Sequence, residues 1–242
     1  MSIEYPVNRI PPVVLGLAAA ILVIEAILSL AGYGIIGGQL GVGWRSNAIQ
    51  DWAFSPAVLD RVVTYHDFSL EMLKRFLSYS FVHVNFTHAL FVAVLLLAIG
   101  KFVGDVFSGL AVLVVYVGAA IFGALVYGLV AQGRYPLVGG YPPVYGLIGA
   151  FTYLLWLRLG QTGGNQYRAF TLIGFLLAVR LIFTFAYNAV AGAGLLGGAA
   201  GVSPEVFYGL ADVSGFVAGL ALSVLVAPGG WSAFLRRLRQ RT

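Results

Sequence analysis

The sequence has no cysteine, only three histidines, and little charge: 10% of its 242 residues are Asp, Glu, Lys or Arg. Without cysteine there is no disulfide, no thiolate nucleophile and no Cys-ligated metal. The shortage of charge excludes an ordinary soluble globular chain, in which about a quarter of residues are charged. What is abundant instead is apolar, at 60% of all residues. Such a chain is built for lipid.

Crossing the hydrocarbon core of a bilayer takes about 20 mostly apolar residues. Apolar runs near 12–36, 78–100, 105–131, 138–159, 169–191 and 206–227 each reach that length. Only helices and closed barrels satisfy their own backbone amides in lipid, and membrane β-strands would be half as long and would alternate. The expected fold class is therefore all-α, a polytopic membrane bundle of six transmembrane helices. Residues 1–77 read as a first span plus a long interfacial loop, 78–227 as a core of spans two to six, and 228–242 as a basic tail, together one membrane domain. The N-terminus has neither a basic n-region nor a small-residue cleavage site, so the first run reads as a retained span rather than a signal peptide.

The net charge of +5 points to an acidic partner, and its placement favours anionic headgroups over nucleic acid. After Pro228-Gly229-Gly230, the residues Trp231, Phe234, Leu235 and Leu238 recur at helical spacing among Arg236, Arg237, Arg239 and Arg241. That pattern predicts an interfacial helix on the membrane surface. The loop over 37–77 carries Trp44, Arg45, Trp52 and Phe54, aromatics suited to the interface. With both termini inside, Arg9, Lys101, Arg158, Arg168 and the four tail arginines oppose Arg45, Arg61, Lys74, Arg75 and Arg134 outside. Eight against five places both termini in the cytoplasm.

Glu25, Arg180 and Asp212 fall inside the expected spans, where each costs several kcal/mol unless it faces the bundle interior and finds a partner. Two pairings are open, Arg180 with Asp212 or Arg180 with Glu25. His83 and His88 would diverge if both sat on one helix. With no cysteine or neighbouring carboxylate to complete a site, no metal is expected there.

Three motifs stand in order. Phe81-Val82-His83-Val84-Asn85-Phe86-Thr87-His88 opens the second span, Gly139-Gly140-Tyr141-Pro142-Pro143-Val144-Tyr145-Gly146-Leu147-Ile148-Gly149-Ala150 the fourth, and Ala211-Asp212-Val213-Ser214-Gly215-Phe216-Val217-Ala218-Gly219 the sixth. Together they resemble the rhomboid family of intramembrane serine proteases. The resemblance implies that His83, His88 and Tyr145 are retained family positions, and that Gly146 and Gly149 pack against Gly215 and Gly219. It also implies a lateral gate between helices two and five. In the family, a serine on span four is the nucleophile, a histidine on span six its base, and an asparagine on span two an oxyanion donor. Here Tyr141, Asp212 and Val92 occupy those places, and Pro142 lacks the amide N–H a glycine would offer.

A tyrosine hydroxyl, with a reference pKa of about 10, is a poor nucleophile for a carboxylate base to activate. The expectation is a non-catalytic pseudoprotease that binds transmembrane segments of client or partner proteins, as chaperone, adaptor, regulator or accessory subunit. Tyr141 would plug the cleft. The alternatives are an altered intramembrane endopeptidase using Ser80 or Ser214, and a transporter built on the intramembrane charges. No cofactor is expected, and the short loops suggest a bacterial inner membrane.

Overall fold

The computed structural model of the chain describes residues 9–131, 135–192 and 204–228. Six long helices dominate it: α1 (Pro12–Gly32), α6 (Phe86–Gly104), α7 (Gly109–Val130), α8 (Tyr141–Gln161), α9 (Thr171–Gly192) and α10 (Pro204–Val226). Between the first two lie four short ones, α2 (Gly38–Gly41), α3 (Trp44–Trp52), α4 (Pro56–Thr64) and α5 (Leu70–Ser78). No strand occurs among the described residues beyond one isolated antiparallel bridge. The protein is an all-α membrane bundle.

Each long helix starts where its sequence dictates. Prolines occupy the first turns of α1 and α8, where a missing N–H costs nothing. The Asn85 side chain accepts from the His88 N–H at 2.8 Å to cap α6, and Ser108 accepts from the Ala111 N–H at 3.2 Å to cap α7. Val14, Ala18, Ile21, Glu25 and Leu28 form one buried stripe on α1, while Leu15 and Val23 on the other side stay exposed for lipid.

Five of the six long segments are apolar and long enough to cross a membrane, and α8 is not among them. The reason is its place. α8 runs through the middle of the bundle, packed by α6, α7 and α10, and every residue from Pro142 to Ala150 is buried. A helix sheathed in protein does not need a lipid-facing apolar surface. Packing there depends on close approach, because lipid tails are as apolar as the helices themselves. Gly219 lies so near the Gly146 carbonyl that a Cβ would overlap it, and Gly149 stands likewise against the Phe216 carbonyl.

The second span differs from the sequence expectation. It begins at Phe86 rather than 78, after a 3₁₀ turn at Tyr79–Phe81 and a short extended link. Val82 is buried and Phe81 partly buried against the core, and hydropathy does not distinguish that from lipid. The expected loop over 37–77 is also structured. Phe54, Val58, Leu59, Met72 and Phe76 pack against Ala120, Ala124 and Tyr127 of α7, and the Tyr79 hydroxyl donates to the Ala120 carbonyl at 2.8 Å.

This folded loop positions the start of α8. Phe54 and Leu137 exchange backbone hydrogen bonds of 3.2 and 2.7 Å, and the Gly139 N–H donates to the Tyr79 carbonyl at 2.9 Å. Gly139 has φ +95°, in the left-handed region, and a Cβ there would run into the His88 ring. The tail residues Trp231, Arg236, Arg237, Arg239 and Arg241, and the loop residue Arg134, lie outside the described residues.

Candidate functional site

At the N-terminal ends of α6, α8 and α10 the helices leave a cavity of about 340 Å³, whose polar lining comprises His88, Tyr141, Arg180, Glu205, Tyr208 and Asp212. Tyr141 opens α8 and stacks on the His88 ring, with centroids 5.1 Å apart and planes 24° apart. The tyrosine thus covers one wall of the cavity without filling it. Tyr145, one turn further along α8, is buried beside Asp212 and Arg180.

Arg180 reaches across from α9. Its guanidinium donates to Asp212 Oδ2 at 2.5 Å and to the Glu205 carbonyl at 3.1 Å. Asp212 is almost wholly buried, with 4% of its side chain exposed against 24% for Arg180. Of the two pairings left open by the sequence, Arg180 with Asp212 forms. The Glu25–Arg180 pairing does not.

Glu25 has a different partner, one the sequence did not suggest. Arg45 of α3 donates to both Glu25 carboxylate oxygens, at 2.7 and 2.9 Å, and to the His83 carbonyl at 2.7 Å. Ser29 adds a 2.7 Å bond to Glu25. A bidentate Arg–carboxylate pair is both strong and directional. This knot joins α1, the first loop and the link before α6, and so holds the ceiling of the histidine pair in place.

The histidines correct a second expectation. His83 precedes the helix that carries His88, so they are not an i, i+5 helical pair, and their rings meet edge-on at 5.0 Å. The Gly140 N–H donates to His83 Nε2 at 3.2 Å. An accepting Nε2 puts the His83 proton on Nδ1. That atom and His88 Nε2 are buried without a hydrogen-bond partner among the described residues. No group of three or more His, Cys, Asp or Glu side chains suited to a metal occurs among the described residues.

Val92 is fully buried and lies against Gly140, on the side of α6 that faces the start of α8. The two serines considered as substitutes point elsewhere. Ser80 Oγ donates to the Leu77 carbonyl at 2.7 Å, and Ser214 Oγ to the Ala211 carbonyl at 2.7 Å. Neither lines the cavity.

A bundle of apolar helices enclosing a polar cavity at one end defines an intramembrane protein with an internal chamber. A family model for the rhomboid domain matches residues 70–229, well over half of the chain. The chain belongs to the rhomboid family, which includes serine proteases. No curated protein matches it.

Proposed function

We propose that this rhomboid-family protein is a pseudoprotease, binding transmembrane segments of client or partner proteins without cleaving them. The observation that carries this reading is the cavity's lining: among the described residues no serine, threonine or cysteine is present in it, and the Asp212 carboxylate is held by Arg180. Tyr141 stands at the nucleophile position, Asp212 at the base position and Val92 at an oxyanion position. Pro142 at the second place of the α8 segment removes another amide donor. Ser80 and Ser214, the candidate substitutes for the nucleophile, donate their hydroxyls to backbone carbonyls.

The intramembrane charges favour binding over transport. Glu25 pairs with Arg45 away from the cavity and Asp212 with Arg180 at its wall, so the charges pair off in two separate places instead of lining one path. The polar atoms at the start of α6, α8 and α10 suit the unwound end of a client helix, whose freed amides need partners in lipid. On this reading residues 1–242 act as one membrane domain, with both termini cytoplasmic and a bacterial inner membrane as host.

The test is direct. Purified protein in mild detergent is offered a fluorescent transmembrane substrate and a fluorophosphonate probe, and its copurifying membrane proteins are identified by mass spectrometry. The expected result is no cleavage, no labelling and a stoichiometric membrane partner. Cleavage abolished by changing one Ser or Tyr would overturn the proposal.

A further inference from the structure

The end of the bundle away from the cavity has a groove that none of this chemistry uses. Helices α6, α8 and α10 all finish there: Phe102 belongs to the last turn of α6, Arg158 and Gln161 to the last turn of α8, and Ala227 follows α10 directly. With Phe151 and Leu154 these residues line a groove of about 380 Å³. Its apolar part includes the tilted Phe102 and Phe151 rings, 5.7 Å apart. Its polar part is the pair Arg158 and Gln161.

The position matters as much as the lining. Where the spanning helices α6 and α10 stop, hydrocarbon gives way to headgroups. The groove therefore runs from the apolar layer, beside Phe151 and Leu154, to the polar boundary beside Arg158. Arg158 is exposed, and the described residues give its side chain no hydrogen-bond or ion-pair partner. The neighbouring cation on α6 is already engaged, since Lys101 donates to Asp105 at 2.9 Å. Arg158 is thus an open guanidinium at the mouth of an apolar trough.

We propose that this groove holds one anionic phospholipid, with an acyl chain along Phe102, Phe151 and Leu154 and the headgroup phosphate on Arg158, where Gln161 supplies a second donor. A guanidinium matches phosphate geometry with paired N–H donors. A zwitterionic lipid brings its own cation to the same phosphate and gains less. A partner helix would have to bury the guanidinium, which is costly without an acid to meet it. Free phosphate would leave the apolar trough empty.

Native mass spectrometry of the full chain in mild detergent tests this, with phosphatidylglycerol and phosphatidylcholine of matched chains supplied in equal amounts. Wild-type protein should retain phosphatidylglycerol in preference, and millimolar inorganic phosphate should not displace it. Arg158→Ala should cut that preference about fivefold, the attraction one arginine contributes at a membrane surface. Leu154→Trp, which fills the trough, should lower retention of both lipids. An undiminished preference in Arg158→Ala, unchanged retention in Leu154→Trp, or displacement by phosphate would each overturn the proposal. Circular dichroism and thermal melting of both variants establish that they are folded before lipid is scored.

Discussion

Replacing Arg180 by methionine tests the energetic logic of the cavity most sharply. The guanidinium lies 2.5 Å from Asp212, whose side chain is 4% exposed while that of Arg180 is 24% exposed. Removing one member of a buried ion pair costs about 3–5 kcal/mol, because the survivor is left charged and unpaired. Partial exposure of Arg180 screens the interaction, so the expected loss for Arg180→Met is about 2–3 kcal/mol. Asp212→Asn should cost only about 1 kcal/mol. The guanidinium left behind still donates to the Glu205 carbonyl at 3.1 Å and still borders the cavity. The double variant removes both charges and should fall within about 1 kcal/mol of wild type. Reversible unfolding in mixed micelles, followed as anionic detergent is titrated in, gives the three free energies and their coupling. The reasoning fails if Arg180→Met is no more costly than Asp212→Asn, or if the double variant is simply the sum of the singles.

Glu25→Gln should cost about 2 kcal/mol and speed proteolysis within 37–77, since Arg45 then lacks the carboxylate that fastens the first loop to α1; unchanged cleavage would make the knot ornamental. Gly219→Val should destabilise by about 3 kcal/mol or abolish folding, because its Cβ overlaps the Gly146 carbonyl. Thermal melting of that variant, with the outward-facing Val217→Ala as control, reads the difference. Rebuilding the family pattern with Tyr141→Ser, Pro142→Gly and Asp212→His should give no fluorophosphonate labelling while Arg180 remains, and measurable labelling once Arg180→Met is added. Labelling without the Arg180 change would show that the guanidinium does not control the cavity.

How far the sequence carries can be followed residue by residue. All six long helices are legible as long apolar runs, five of them lipid-crossing by length and composition and α8 sheathed in protein instead. Hydropathy starts the second at 78 instead of Phe86, since Phe81 and Val82 read as membrane-facing although Val82 is buried and Phe81 partly buried in protein. The four short helices of the first loop were not read. The apolar residues of α4 and α5 are aimed at α7, which lies far off in sequence, while α2 and α3 lie against α1. Arg45 was visible as a loop cation, but its pairing with Glu25 spans 20 residues and leaves no local pattern. Five residues apart, His83 and His88 read as a pair on one helix. Asn85 could have shown otherwise: an Asn three residues before His88 is a helix cap, and it puts His83 outside. Of the two pairings open to Arg180, depth along the spans matches it with Glu25, whereas the structure pairs it with Asp212 through the α9–α10 contact.

The pair at Asp212 has a consequence for how α9 is held. Among the described residues, α9 has its main helix contact with α10 and otherwise leans on the turn at Gln166–Phe170 that leads into it. Phe183 and Phe185, beyond Arg180, are exposed. Arg180 is therefore the polar tie midway along a helix otherwise held near its start. On the proposed reading, the position that serves as a base in the family has become the anchor of this tie. A histidine there is neutral near pH 7 and leaves α9 free of charge-pairing, whereas a buried aspartate must be met by a cation. On that reading, the exchange that removes the base also fastens α9 to the core. Loss of chemistry and closure of the helix are then two effects of one substitution, and a client seeking the cavity past α9 meets the Arg180–Asp212 bond first.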